Sequence, residues 1–237
     1  MNCLTRRSAI RASFICVALA KRRVSADEVR KLPADVLAAV TAPEDLMREH
    51  GVLNRLMLVY EAALTPSVSA LESIHEVLHG TASLIRSFIE DYHGMLEEKF
   101  LFPEFDRQRK LTSLVNSLRE QHRVGRALTG VVLRNATADG LANEATRSEV
   151  TRACRDFVRM FRGHEAWEDT ELFPAFRSLV SPARLVELGE QFEEIEHRTF
   201  GKDGFADTVK QVVRLEHHVG IQSLDAYTPR EPAKASP

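Results

Sequence analysis

One pattern of residue types occurs twice in this 237-residue chain. His164 stands four residues before Glu168 in the segment His-Glu-Ala-Trp-Glu-Asp-Thr-Glu-Leu-Phe-Pro-Ala-Phe, residues 164–176. His93 stands four before Glu97 in a related segment, residues 93–105, which begins 71 residues upstream. His, Glu, Leu, Phe, Pro and Phe fall at the same offsets in both, and an acid follows the Glu each time, Glu98 or Asp169. On a helix, residues four apart share a face, about 40° out of line. Each pair therefore offers one imidazole nitrogen and one carboxylate to a single point, which is the chemistry of metal ligation.

Helices must hold these pairs, and the apolar periodicity supplies them. Pro43, followed by Glu44 and Asp45, opens a helix near residue 44. Its stripe comprises Leu46, Leu53, Leu56, Met57, Tyr60 and Leu64, with His50 on the same face, and Thr65-Pro66-Ser67 ends it. A second helix runs from about Ala70 to Glu98, with Ile85, Ile89, His93 and Glu97 at steps of four. Pro103 and the polar residues 106–110 mark a kink and a short connector. A third helix, about Leu111 to Asn135, carries Val115, Leu118, His122, Gly125 and Val132 on one face, and a turn follows at Ala136–Asn143. A fourth, about Glu144 to Glu171, aligns Phe157, Met160, Phe161, His164, Trp167 and Glu168. No strand alternation appears. The reading is all-α: an antiparallel up-down four-helix bundle over residues 44–176, with two further C-terminal helices within 181–220.

One inward-facing histidine stands on each bundle helix: His50, His93, His122 and His164, at gaps of 43, 29 and 42 residues. In an up-down bundle, residues at one level are separated by a turn halfway between them. The midpoints fall near residues 71, 107 and 143, each in or close to a break identified from Pro, Gly and polar clusters. All four histidines and both glutamates thus share one level. Two metals could each take two histidines from one hairpin, with Glu97 and Glu168 bridging, leaving positions open for a small ligand. Mixed nitrogen and carboxylate ligation suits non-haem iron best, with zinc and manganese as alternatives. The Glu-x-x-His pattern of ferritin-like oxidases is absent at these helix positions.

The order His, His-x-x-x-Glu, His, His-x-x-x-Glu resembles the hemerythrin-like cation-binding domain. Residues 46–55, Leu-Met-Arg-Glu-His-Gly-Val-Leu-Asn-Arg, and the two Leu-Phe-Pro segments carry the resemblance across about residues 44–176. The later helices resemble an extension of some bacterial members. The resemblance implies a four-helix bundle with two non-haem iron ions, oxo- or carboxylate-bridged. It implies His50, His93, Glu97, His122, His164 and Glu168 as ligands, and oxygen or nitric oxide as the small ligand, in sensing, stress response or iron handling. An enzyme at the same site, peroxidase-like or nitric-oxide-consuming, and an iron donor for iron–sulfur repair are the alternatives. Oxygen carriers of the family have a second His four after the third-helix ligand, where this chain has Arg126. Their last ligand is an Asp five after His, a spacing Asp169 would match, whereas the internal repeat selects Glu168.

The rest of the chain is less specific. A net charge of −2 argues against nucleic acid as the main partner. Residues 1–26 have a double arginine, a nine-residue apolar run too short to span a bilayer, and Val24-Ser25-Ala26 as a cleavage site. They resemble a twin-arginine export signal, which would place the protein in the periplasm. A disordered leader would leave it in the cytoplasm. Cys154 reads as a small buried apolar residue, Trp167 as packed on a neighbouring helix, and Glu98 and Asp169 as solvated or as holding imidazole N–H groups. His75 and His79 read as solvated or core histidines, with a weaker second metal site as the alternative. Residues 228–237 read as a disordered tail.

Overall fold

The computed structural model describes residues 40–69 and 72–229. The leader and the end of the tail lie outside these residues. Helix α1 spans Ala42–Ala63, α2 is the single turn Pro66–Ser69, and α3 is a long composite helix running from Ile74 to Gln108. Helix α4 spans Thr112–Asn135, and α5, Ala138–Ala142, fills the expected turn. Helix α6 runs from Glu144 to Leu179, and α7 and α8 span Pro182–Phe200 and Gly204–Val219. No strand occurs among the described residues, and none of their helices is long and apolar enough to cross a membrane.

The start of α1 has a reciprocal cap. The Glu44 carboxylate accepts hydrogen bonds from both the backbone N–H and the hydroxyl of Thr41. The bundle comprises α1, α3, α4 and α6, with α7 and α8 packed against α1. Its interior is aromatic and aliphatic: Leu46, Leu56, Ile85, Phe102, Phe105, Leu118, Phe157, Phe173 and Phe176 are all buried. Cys154 is buried too, and burial pushes its thiol up to about 12, so it packs as an apolar group.

Two sequence expectations change. Pro103 does not end its helix: α3 continues as Phe102–Gln108, and the connector shrinks to residues 109–111, where Arg109 and Leu111 take left-handed backbone angles. The helix survives because the turn before the proline, Glu97–Leu101, is π-helical, and the Phe102 N–H donates to the Glu97 carbonyl five residues back. The widened turn makes room for a ring that has no N–H and would crowd an ordinary α turn. The same device recurs before Pro174, where Glu168–Leu172 is π-helical and the Phe173 N–H donates to Glu168. A further π stretch, Ile85–His93, leads into the site. Trp167 does not pack on a neighbour either, since 58% of it is exposed.

Candidate metal centre

The bundle brings the six residues singled out from the sequence to one buried place. His50 comes from α1, His93 and Glu97 from α3, His122 from α4, and His164 and Glu168 from α6; each is at most 5% exposed. They form two groups with ligand atoms close enough to surround one ion each: His50, His93, Glu97 and Glu168, and His122, His164, Glu97 and Glu168. Ring centroids are 4.9 Å apart both in the His50–His93 pair and in the His122–His164 pair.

The two glutamates are shared, and each divides its oxygens. Glu97 Oε1 lies 3.7 Å from His93 Nε2 and its Oε2 lies 3.4 Å from His122 Nε2. Glu168 Oε2 lies 3.3 Å from His50 Nε2 and its Oε1 lies 3.1 Å from His164 Nε2. Asp169 instead lies behind His50, with Oδ1 2.9 Å from Nδ1, the outward nitrogen of that ring.

Every imidazole is fixed from behind. His93 Nδ1 is 2.8 Å from Glu49, His122 Nδ1 2.8 Å from Glu98, and His164 Nδ1 2.9 Å from the side-chain oxygen of Gln121. With these acceptors, Nδ1 donates and the Nε2 lone pair is aimed inward. The arrangement crosses between hairpins. Glu98 follows Glu97 on α3 but holds a histidine of α4, while Asp169 follows Glu168 on α6 but holds one of α1. Phe102 of α3 lies nearly parallel to His122 at 5.7 Å, and Phe173 of α6 nearly parallel to His50 at 5.6 Å. The repeated Phe thus backs an imidazole of the other hairpin.

The donor atoms fit a cation. His50 Nε2 and all four oxygens of Glu97 and Glu168 are buried without hydrogen-bond partners, which is costly for polar atoms unless something else meets them. His122 Nε2 and His164 Nε2 face each other at 3.2 Å. Their electrostatics show the same crowding. Burial pushes the Glu97 carboxyl up, and the charge of Glu168 adds to this. For Glu168, burial is outweighed by His164 and His50, which hold the carboxyl well below its ordinary range. Burial drives His93 down to about 4. For His122 burial is outweighed by the adjacent Glu97 carboxylate and the hydrogen bond to Glu98, which lift it to about 9.

A cavity opens beside the histidines, lined by Leu53, Ile89, Gly94 and Phe161, with Glu90 and Arg126 as its polar members. Gly125 lets α4 approach it closely, because a Cβ there would meet the Phe161 ring at 2.7 Å. Glu90 accepts a 2.6 Å hydrogen bond from Thr129 and pairs with Arg86 at 3.0 Å. Arg126 donates to Glu98 at 2.8 Å.

Sequence reasoning missed Glu49 and Gln121. The signal was a polar acceptor immediately before the lone histidine of each hairpin, Glu49 before His50 and Gln121 before His122. His75 and His79 join no metal-like group among the described residues.

Known proteins bear on this geometry. Three relatives, from two strains of Mycobacterium tuberculosis and one of Mycobacterium bovis and each named only as an uncharacterized protein, are 43% identical over 190 residues, covering 80% of this chain and 74% of theirs. No solved structure matches significantly. The chain matches the Hemerythrin HHE cation binding domain over residues 41–144 and again over 114–210. It therefore belongs to the hemerythrin HHE cation-binding family.

Proposed function

We propose that His50, His93, Glu97, His122, His164 and Glu168 hold two non-haem iron ions, and that the protein binds oxygen or nitric oxide at that centre. The observation that carries the reading is the division of Glu97 and Glu168, each with one oxygen toward each histidine pair. Carboxylates in that posture bridge two cations, and four imidazoles complete a set of nitrogen and oxygen donors suited to iron. Two ions held by six side chains would retain open positions and redox chemistry for a diatomic ligand.

The chain's own residues then have assignable tasks. Glu49, Asp169, Glu98 and Gln121 orient the rings through Nδ1. Leu53, Ile89 and Phe161 give the cavity walls that exclude water and admit a small apolar molecule. One observation favours a second reading, an enzyme at the same site. Glu90 is a buried acid in that cavity, and burial raises its carboxyl above the ordinary range, which suits it to exchanging a proton beside the ligand space.

Metal analysis after anaerobic iron loading tests the proposal, with about two irons per chain expected. Replacing His93 and Glu97 by Ala should abolish the iron absorption bands. Unchanged iron content and spectra in that variant would remove the assignment. Stopped-flow spectra with oxygen and nitric oxide then separate a reversible adduct from turnover, and turnover that falls in Glu90→Gln would favour the enzyme.

A further inference from the structure

A second group of oxygen donors lies behind His93. Asp45 and Glu49 stand four apart on α1, and Glu196 reaches them from α7; one oxygen of each lies within 4.8 Å of the others. Three acids so close would repel, and on a surface they would signify little. Here Glu49 is 1% exposed, and the Asp45 side chain is only 14% exposed.

Each carboxylate has one oxygen committed. Asp45 Oδ1 takes Arg48 at 2.8 Å, Glu49 Oε2 takes His93 Nδ1 at 2.8 Å, and Glu196 Oε1 takes the Phe205 N–H at 2.7 Å. Among the described residues, the second oxygen of Asp45 and that of Glu196 take no hydrogen bond, and the Glu49 carboxylate has only the Tyr92 hydroxyl within further reach. Arg48 offsets part of the group's charge through its pair with Asp45, with its guanidinium also over the Phe205 ring, 4.3 Å from the centroid.

Tyr92 supplies an independent observation. It is 1% exposed, and its hydroxyl is buried without a hydrogen-bond partner. The charges that act on that hydroxyl are those of Glu49, Glu196 and Asp45, so it faces the same group. The phenol lies within reach of Glu49 but makes no well-aligned hydrogen bond to it, so an occupant of the group would satisfy it better. Its ring is fixed by Phe88 and Phe200, at 5.6 and 5.4 Å.

We propose that Asp45, Glu49, Glu196 and the Tyr92 hydroxyl form a separate, all-oxygen site for a hard divalent cation, joined to the dinuclear centre through the Glu49–His93 hydrogen bond. Four oxygens without nitrogen or sulfur favour manganese, magnesium or calcium over zinc or copper, with water completing the coordination. The site depends on the C-terminal extension, because α7 brings Glu196 and α8 fixes it through Phe205. It also has an orientation: Asp45 and Glu196 are partly exposed and Glu49 is buried, so a cation would enter from the α7 side and stop behind His93.

The site is separable from the dinuclear centre in experiment. Manganese(II) is titrated into full-length protein as purified and after iron loading, and bound ion is counted by the loss of its free paramagnetic signal. Wild-type protein should take up one manganese beyond what the iron centre holds. Asp45→Asn with Glu196→Gln should weaken that uptake at least tenfold while iron content is unchanged, and Tyr92→Phe should weaken it by a smaller factor. The asparagine and glutamine keep the hydrogen bonds to Arg48 and Phe205 in reach, and a matched circular dichroism melt verifies folding. Excess magnesium or calcium should displace the manganese. Uptake of no additional manganese, or uptake equal in wild type and the double variant, would overturn the site. Either result leaves the iron centre to be judged by its own iron content.

Discussion

The two halves of the centre are built alike and backed differently. In each half two imidazoles lie 4.9 Å apart and face the same pair of carboxylates, and one of the two rests on a phenylalanine from the other hairpin. Behind His50 and His93 stand two acids, Asp169 and Glu49. Behind His122 and His164 stand one acid and one amide, Glu98 and Gln121, and Arg126 draws on Glu98 as well. An acid behind an imidazole makes its inner nitrogen a stronger donor; an amide does so less. Bundle symmetry therefore gives two groups that could each hold a metal ion, and the residues one step outward make them unequal. The His50–His93 position should hold a cation more tightly, and it alone has the further acid group at its back.

The comparison can be broken at its shared elements first. Glu168→Ala removes a donor from both positions at once, so iron affinity should fall by more than about a hundredfold, or ~2.7 kcal/mol, at both. Loss of one iron with the other intact, measured by metal analysis, would show that Glu168 is not shared. Chelation comes next. If each ion is present at about a hundred times its dissociation constant, it contributes about 2.7 kcal/mol, so stripping both should lower the melting temperature by roughly 10–20 °C. Calorimetry of loaded and stripped protein measures this.

Sharper still is the exchange of the backing groups. Glu49→Gln should weaken the His50–His93 position by about tenfold or more, and Gln121→Glu should strengthen the other. Iron titration of the two variants would show the two affinities converging; unchanged affinities in both would mean the halves are equivalent. A smaller effect concerns protons. His122 in the metal-free chain is raised to about 9 from 6.5, so its share of metal-free stability is present below pH 6.5 and lost as pH rises toward 9. Metal must displace that proton, so apparent affinity at the His122–His164 position should climb across the same window, as a titration at several pH values would register. Least is expected of Arg126→Gln. Arg126 shares Glu98 with His122, and the Glu98 carboxyl is held down to about 2 by His122 and then Arg126, but the pair is partly exposed. A change under about threefold fits so exposed an ion pair.

Much of this was legible in the sequence because it depends on periodicity. His50, His93, His122 and His164 declare their level through spacing, and the breaks between them agree with it. Glu98 and Asp169 declare themselves by following the ligand glutamate in both repeats. Glu49 and Gln121 did not, because they sit about 100° off the inward stripe of their own helices and act on a histidine of a neighbouring helix. Only the packing of α1 on α3, and of α4 on α6, shows that contact. The π turns were hidden for another reason. Pro103 reads as a kink before a short connector, yet the repeated Phe-Pro five and six residues after Glu97 and Glu168 is the trace of a widened turn that keeps the helix intact. Trp167 followed the apolar stripe and still faces outward, because the stripe on α6 is wider than the surface its neighbours cover.

Mössbauer spectroscopy of protein loaded with iron-57 tests the central claim most directly. Two iron ions on unequal backing predict about two irons per chain and two quadrupole doublets of equal area, converging toward one in Glu49→Gln alone and in Gln121→Glu alone. A single iron per chain, or iron retained when Glu97 and Glu168 are both replaced, would contradict it.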